Sequence, residues 1–334
     1  MTIHFFYKTK RLFDNAAGMI LVGAALLVVS GNVLHASEEA GPLRDKYHAI
    51  EVSDSVYVIH GPSGLPSPSN QGFMNNPGFI VTSEGVVVVD AGSSVQTGRM
   101  VLGQIKAVTD LPVVALFSTH IHGDHWLANQ AIHDIYPEAR SYAHPDLIQL
   151  ARSGEAENWV DLMGRLTNGG TKGTVAVIPD SPVVDGDQIQ IGDRVFSIHH
   201  KGKAHTTSDI AIMVMPGKVL FTGDLVFNKR LGRMDDGHFG GLSETLDHLI
   251  GLAPETVVPG HGMTDGVGII QNAKRLNDLI HRVVQEKFEE GLSDFEIKPI
   301  VVERTSEFSD WDGFEQSIGR VVSLSYLEVE EENF

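Results

Sequence analysis

The chain has 334 residues, 42% of them hydrophobic, a formal net charge of −18 and no cysteine. That length suits one large domain or two small ones. The missing thiols exclude disulfides, thiolate metal sites, iron–sulfur clusters and a cysteine nucleophile, and the acidic balance speaks against nucleic acid, which is held by clustered Lys and Arg.

Residues 1–36 read as a secretory signal. Lys8, Lys10 and Arg11 precede an apolar and small run from Ala16 to Gly31, and Leu34-His35-Ala36 leads into the polar Ser37-Glu38-Glu39. The run has 16 residues, short of the roughly 20 that a spanning helix needs. Cleavage after Ala36 is therefore expected, giving an exported mature chain, periplasmic or secreted, with no stable membrane insertion. The signal carries a net charge of +2, so the mature chain carries −20. No linker divides the rest, so 37–334 reads as a single domain, with 265–334 as a helical extension packed on it.

Residues 48–61 alternate as an edge strand, and 61–78, rich in Gly, Pro, Ser and Asn, read as a long loop. A hairpin spans 79–92 across Ser83-Glu84-Gly85. Its second run, Val86 to Val89, is apolar throughout and so buried on both faces. Helical spacing over 95–110 is followed by a buried strand over 112–120 and a short helix over 125–137, stopped by Pro137. A strand begins at 139, a helix covers 149–168, and 168–173 is a turn. Hairpins follow over 185–205, about Gly192-Asp193, and over 210–227, about Pro216-Gly217. Residues 243–253 are helical and 256–262 a strand and loop. A helix over 266–290 closes at Gly291, and the last helix covers 312–326. A strand runs into an aspartate twice (Val86–Asp90, Val219–Asp224). A strand also runs twice into a histidine-bearing loop (Val113–His120, Thr256–His261). The pattern suggests two similar half-domains, each a sheet with helices on one side.

The segment FSTHIHGDHWLANQ, 117–130, sets His120, His122, Asp124 and His125 within six positions. Side chains two apart at a strand end share a face, and Gly123 permits a tight turn. Asp124 and His125 then point to a second centre, so the spacing proposes two metals side by side. Further donors stand at strand ends beside glycine: His205 in GKAHTTSD, Asp224 in LFTGDLVF and His261 in VVPGHG.

His-x-His-x-Asp-His followed by separate His, Asp and His resembles the metallo-β-lactamase-fold hydrolases, from about Val56 to His261, with VVVVDAG as the first motif. The resemblance implies a four-layer αβ/βα sandwich of the α+β class, two mixed sheets flanked by helices. It implies His120, His122 and His205 on one metal, Asp124, His125 and His261 on the other, Asp224 bridging both, and Asp90 behind the ligands as their orienting residue. Two zinc ions suit the all-nitrogen-and-oxygen set, with iron or manganese as other occupants. The implied activity is hydrolysis by a metal-bridging hydroxide, with Asp124 and Asp224 as proton-accepting catalytic residues.

The resemblance further implies, from the aspartate at the bridging position, a small-molecule ester, thioester or lactone rather than a β-lactam. The 36 residues between Asp224 and His261 leave no room for a nucleic-acid-processing insertion, and the 73 after His261 none for a flavin domain. A β-lactam hydrolase and an iron-dependent persulfide oxidoreductase of the same fold stay open. Trp126, Asn228, Arg230, His238 and Phe239, with the loops 74–78 and 227–241, are the expected substrate-facing residues. His238 is the first place to look for a general acid.

Overall fold

β-Branched runs set the frame of the computed structural model, which describes residue 43 and residues 46–333. The signal reading of 1–36, with its cleavage point, lies outside those residues. The first sheet has the order β1-β2-β3-β4-β5-β6-β7: Ala49–Ser53, Val56–Ile59, Gly78–Thr82, Gly85–Val89, Val113–Ser118, Arg140–Ala143 and Ser181–Pro182. The second has the order β12-β11-β10-β9-β8: Thr256–His261, Val219–Phe227, Ala211–Met215, Arg194–His199 and Gln188–Ile191. Both are mixed. β4 runs parallel to β5 and β11 parallel to β12, so each sheet sends a parallel pair toward one edge. The repeated strand-to-Asp and strand-to-His patterns are these two pairs.

The inner faces of the sheets share one core that includes Val58, Ile80, Val87, Phe117, Phe196, Ile212 and Phe221. Phe117 stacks at 4.9 Å on Tyr142 of the neighbouring strand and at 5.4 Å on Phe196 across that interface. Aromatic pairs of this kind add about 0.5–1.5 kcal/mol beyond their buried area. β4 is buried at every residue, as its unbroken valines require.

Helices cover the outer faces, completing the four-layer sandwich. α1 (Val95–Val108), capped where the Ser94 side chain accepts from Thr97 N, packs with α3 (Asn129–His133) on the first sheet. α2 (Gly123–Trp126), α4 (Pro145–Leu150) and α5 (Ala156–Leu166) flank the metal-donor turn. α6 (Phe239–Gly251), α7 (Gly268–Glu289), α8 (Asp294–Arg304) and α9 (Phe314–Glu332) cover the second sheet. They join Leu220, Leu225 and Val257 in one apolar cluster. None of these helices is long and apolar enough to cross a membrane.

Four elements differ from expectation. The strand expected over 48–61 is the antiparallel pair β1-β2, and the helix expected over 149–168 is broken at Gly154, φ +117°, into α4 and α5. The helix expected over 125–137 is two short helices starting at Gly123. α8, with Pro299 inside it, is an addition: its Ser293/Glu296 capping box is the sequence signal that announces it.

Candidate metal centre

Four segments bring seven donors to the sheet edge. β5 ends at Ser118, so His120 and His122 stand in the turn after the strand, and Asp124 and His125 form the first turn of α2. His205 Nε2 lies 3.0 Å from His122 Nδ1 and 3.5 Å from Asp224 Oδ2, and His120 Nε2 lies 3.8 Å from the same oxygen. The other carboxylate oxygen, Asp224 Oδ1, is 3.2 Å from His125 Nε2 and 3.3 Å from His261 Nε2. Asp124 Oδ2 is 3.5 and 3.3 Å from those two nitrogens. Asp224 thus turns one oxygen toward each group. Within each group the donor atoms lie within 4.8 Å of one another.

These atoms fit cations. His120 Nε2, His125 Nε2 and Asp224 Oδ1 are buried with no hydrogen-bond partner among the described residues. Leaving such atoms unpaired costs about 1–3 kcal/mol each, and a cation in each group satisfies them together. β11 delivers Asp224 through an irregularity: its register with β12 shifts on both sides of Gly223, which sits at φ +49°. A Cβ there would overlap Thr119, so only glycine lets the bulge close.

The imidazoles are aimed from behind. Asp90 Oδ2 is 2.8 Å from His125 Nδ1, which leaves His125 Nε2 bare toward the centre. Thr119 donates its backbone N and its Oγ1 to the same carboxylate, both at 2.8 Å, and Thr119 Oγ1 accepts from His120 Nδ1 at 3.0 Å. Asp90 therefore orients two ligands, one directly and one through a hydroxyl. His261 Nδ1 donates to Met74 O at 2.8 Å. His122 is turned the other way, with Nε2 3.0 Å from Asp236 Oδ2 and Nδ1 facing inward.

Asp236 is 63% exposed and carries little of the fold. Asp236→Ala should weaken binding of the first cation by about 10–100-fold without moving the thermal transition of the metal-free protein. Competition against a chromogenic chelator measures the first quantity and calorimetry the second.

Burial pushes these imidazoles toward the neutral form. At His120 and His205 burial prevails, helped by neighbouring imidazoles, and brings His205 down to about 4. At His125 and His261 burial is outweighed by the Asp224 and Asp124 carboxylates, which raise both above the ordinary histidine value. Burial also favours neutral acids at Asp124 and Asp224, yet His125 and His261 hold both below the usual carboxylate range. Both aspartates are therefore standing negative charges, and a cation entering the second group must displace protons.

The structure corrects several expected roles. Trp126 is fully buried and donates Nε1 to Ile121 O at 2.8 Å, so it packs behind the turn and faces no substrate. His238 caps α6, accepting from Gly241 N at 2.9 Å, lies 3.5 Å from Glu328, and donates its backbone N to Ala204 O beside His205. Asn228 braces the His261 turn, donating its N to His261 O and Nδ2 to Met263 O. Arg230 and Phe239 do line a cleft that adjoins Asp224.

Residues 75–78 of the loop 74–78 are buried and Met74 is half-buried. Asn75 Nδ2 donates to Asp90 O, and Asn76 Nδ2 donates to Pro259 O and Gly262 O across the two sheets. Gly123 has no left-handed φ; it is needed because a Cβ would meet the Trp159 Cβ at 2.8 Å. Trp159 went unread, and Phe227 and Asp236 were covered only as part of the loop 227–241, not singled out. Phe227 stacks on His261 at 5.4 Å and Trp159 lies 5.1 Å from His122. No spacing rule marks them, because each is recruited by tertiary contact.

Comparison with known proteins bears on the same residues. A model of the metallo-beta-lactamase superfamily matches residues 70–261. An uncharacterized protein of Mycobacterium tuberculosis is 28% identical over 189 residues, covering 52% of this chain and 81% of that protein. The acyl-coenzyme A thioesterase MBLAC2 of Homo sapiens is 28% identical over 169 residues, covering 46% of this chain and 58% of the thioesterase. Among solved structures, a metallo-beta-lactamase from Pontibacter korlensis superposes with TM-score 0.57 at 18% identity, covering 70% of this chain and 99% of the other, which shows a common fold.

Proposed function

The chain belongs to the metallo-β-lactamase superfamily of metal-dependent hydrolases, and from that premise we propose that it is an exported binuclear zinc hydrolase of a small-molecule ester, thioester or lactone. The observation that carries the reading is the bridging geometry of Asp224, whose two oxygens face two separate donor groups. The set of five histidines and two aspartates suits zinc. Zinc in both groups supplies Lewis-acid activation of a water and of the scissile carbonyl.

The protein's own part is positional. Asp90 and Met74 O hold His125 and His261 in the tautomer that bares Nε2. Asp236 fixes His122 with Nδ1 inward. Asp224 would hold a cation in each group, and Asp124 would help hold the second and offer a carboxylate as proton acceptor. Phe227 and Trp159 wall the imidazoles from bulk solvent, which strengthens every charge interaction inside. The thioesterase likeness supports an acyl substrate. The apolar segment before Ala36 supports export, and processing at that position in fractionated cells tests it.

Chelation is the direct test of the chemistry. Exhaustive removal of metal should abolish hydrolysis across an ester, thioester, lactone and β-lactam panel, and two zinc per chain should restore it. Free zinc at a thousand times its Kd stabilises by about 4 kcal/mol, so the metal-free Tm should fall on the order of 10 °C for a domain of this size. Purified protein holding well under one metal per chain, with no chelator-sensitive hydrolysis, would sink the proposal.

A further inference from the structure

A cleft opens between the segment that follows Asp224 and the C-terminal helices. Asp224 and Phe227 are among its walls, and Phe227 packs on His205 and His261, so the cleft borders the donor groups. Most of the remaining lining is aliphatic: Leu231 after β11, Leu242 on α6, Ala273 and Leu276 on α7, and Val321 on α9. Helices α7 and α9 lie beyond the last metal donor, so part of this wall is built by chain that supplies no ligand. A lining of this kind is suited to a hydrocarbon chain.

One cation breaks the apolar lining. Arg230 lines the same cleft, and its Nη1 is buried with no hydrogen-bond partner among the described residues. The nearby Arg233 and Arg320, in contrast, both engage Asp235. Guanidinium nitrogens are seldom buried without an acceptor, because the lost hydration goes uncompensated. An unmatched donor in an apolar cleft marks where an anion goes, and guanidinium geometry matches a carboxylate.

We propose that the cleft takes the hydrocarbon part of a medium-chain acyl substrate bearing a carboxylate away from its scissile bond, with Arg230 pairing that carboxylate. The inference rests on the hydrolase reading and narrows its substrate class. Chain length is read by α6, α7 and α9, and charge by Arg230.

Calorimetric titration of the zinc-loaded protein with butyrate, hexanoate, octanoate and neutral octanamide tests it without requiring turnover. Kd should fall about fourfold per added methylene, and octanoate should bind at least about tenfold tighter than octanamide. Arg230→Gln should erase the preference for the carboxylate and keep the dependence on chain length. Ala273→Phe, with its Tm checked, should flatten the dependence on chain length. A flat series in the parent protein overturns the proposal whatever the variants do. A carboxylate preference that survives in Arg230→Gln overturns it too, since the anion would then sit on zinc. Turnover of the 4-nitrophenyl half-esters of succinate, adipate and suberate is read on the same samples. The expected binding without turnover sustains the cleft and sinks the hydrolase reading; turnover with a flat binding series does the reverse.

Discussion

Asp224→Ala will lower turnover by at least about 10³-fold, because the bridging carboxylate underlies several kcal/mol of transition-state stabilisation at 1.36 kcal/mol per tenfold. The reason lies in its two oxygens. Oδ2 faces His205 and His120, while Oδ1 faces His125 and His261, so its carboxylate itself joins the two groups. Its loss also removes the leading attraction that raises His125 and His261 against burial. Metal content should drop from two cations toward one or none, since one group is left with three histidines and the other with Asp124, His125 and His261. The secondary structure should persist, because the cores between and outside the sheets do not include this side chain. Mass spectrometry of the native protein, circular dichroism and steady-state kinetics read the three quantities. A variant as active as its parent would show that Asp224 does not bridge.

Gly260→Ala is the second large effect, at a residue that ligates nothing. A Cβ at 260 would overlap Asp224 Oδ1 and press on the Gly223 backbone at 2.8 Å. The neighbour is a carboxylate in a fixed bulge, not the free end of a long side chain, so the strain falls on the bridge itself. Overpacking of this kind costs about 1–3 kcal/mol of stability, and a displacement of about 1 Å at a reacting centre costs about 10²-fold in rate. Gly164→Ala is the control. It lies within α5, nothing stands within 4 Å of its added Cβ, and the better helix former should stabilise by about 0.5–1 kcal/mol. Equal activity of Gly260→Ala and the parent would mean that the bulge relaxes freely.

The donors were legible because they are local in kind. Short side chains at strand ends, spaced by one or two residues and flanked by glycine, must converge wherever two parallel pairs reach a common edge. Burial of β4 and the hairpins at Gly192 and Pro216-Gly217 were legible for the same reason: periodicity and turn chemistry act within a few residues. What stayed hidden depends on contacts between distant segments. Asp236 reaches His122 across 114 positions and Asn76 reaches Gly262 across 186. Trp126 has the composition of a pocket residue, yet the short helix that carries His125 turns it into the core behind Ile121. The cap that His238 makes on α6 also stayed hidden, because a histidine near a glycine-rich loop carries no mark of a helix cap.

The partition of donors between the halves bears on when and where the cage fills. His120, His122, Asp124 and His125 follow β5 of the first sheet, whereas His205, Asp224 and His261 come from the second. Asn76 latches the first half onto the turn that presents His261. The final imidazole takes its place only when β12 has been laid beside β11, near the end of the matched region. A nascent or unfolded chain therefore offers isolated fragments and no complete cage. Ion selection belongs to the finished fold, and the cation pool that matters is that of the compartment in which folding is completed.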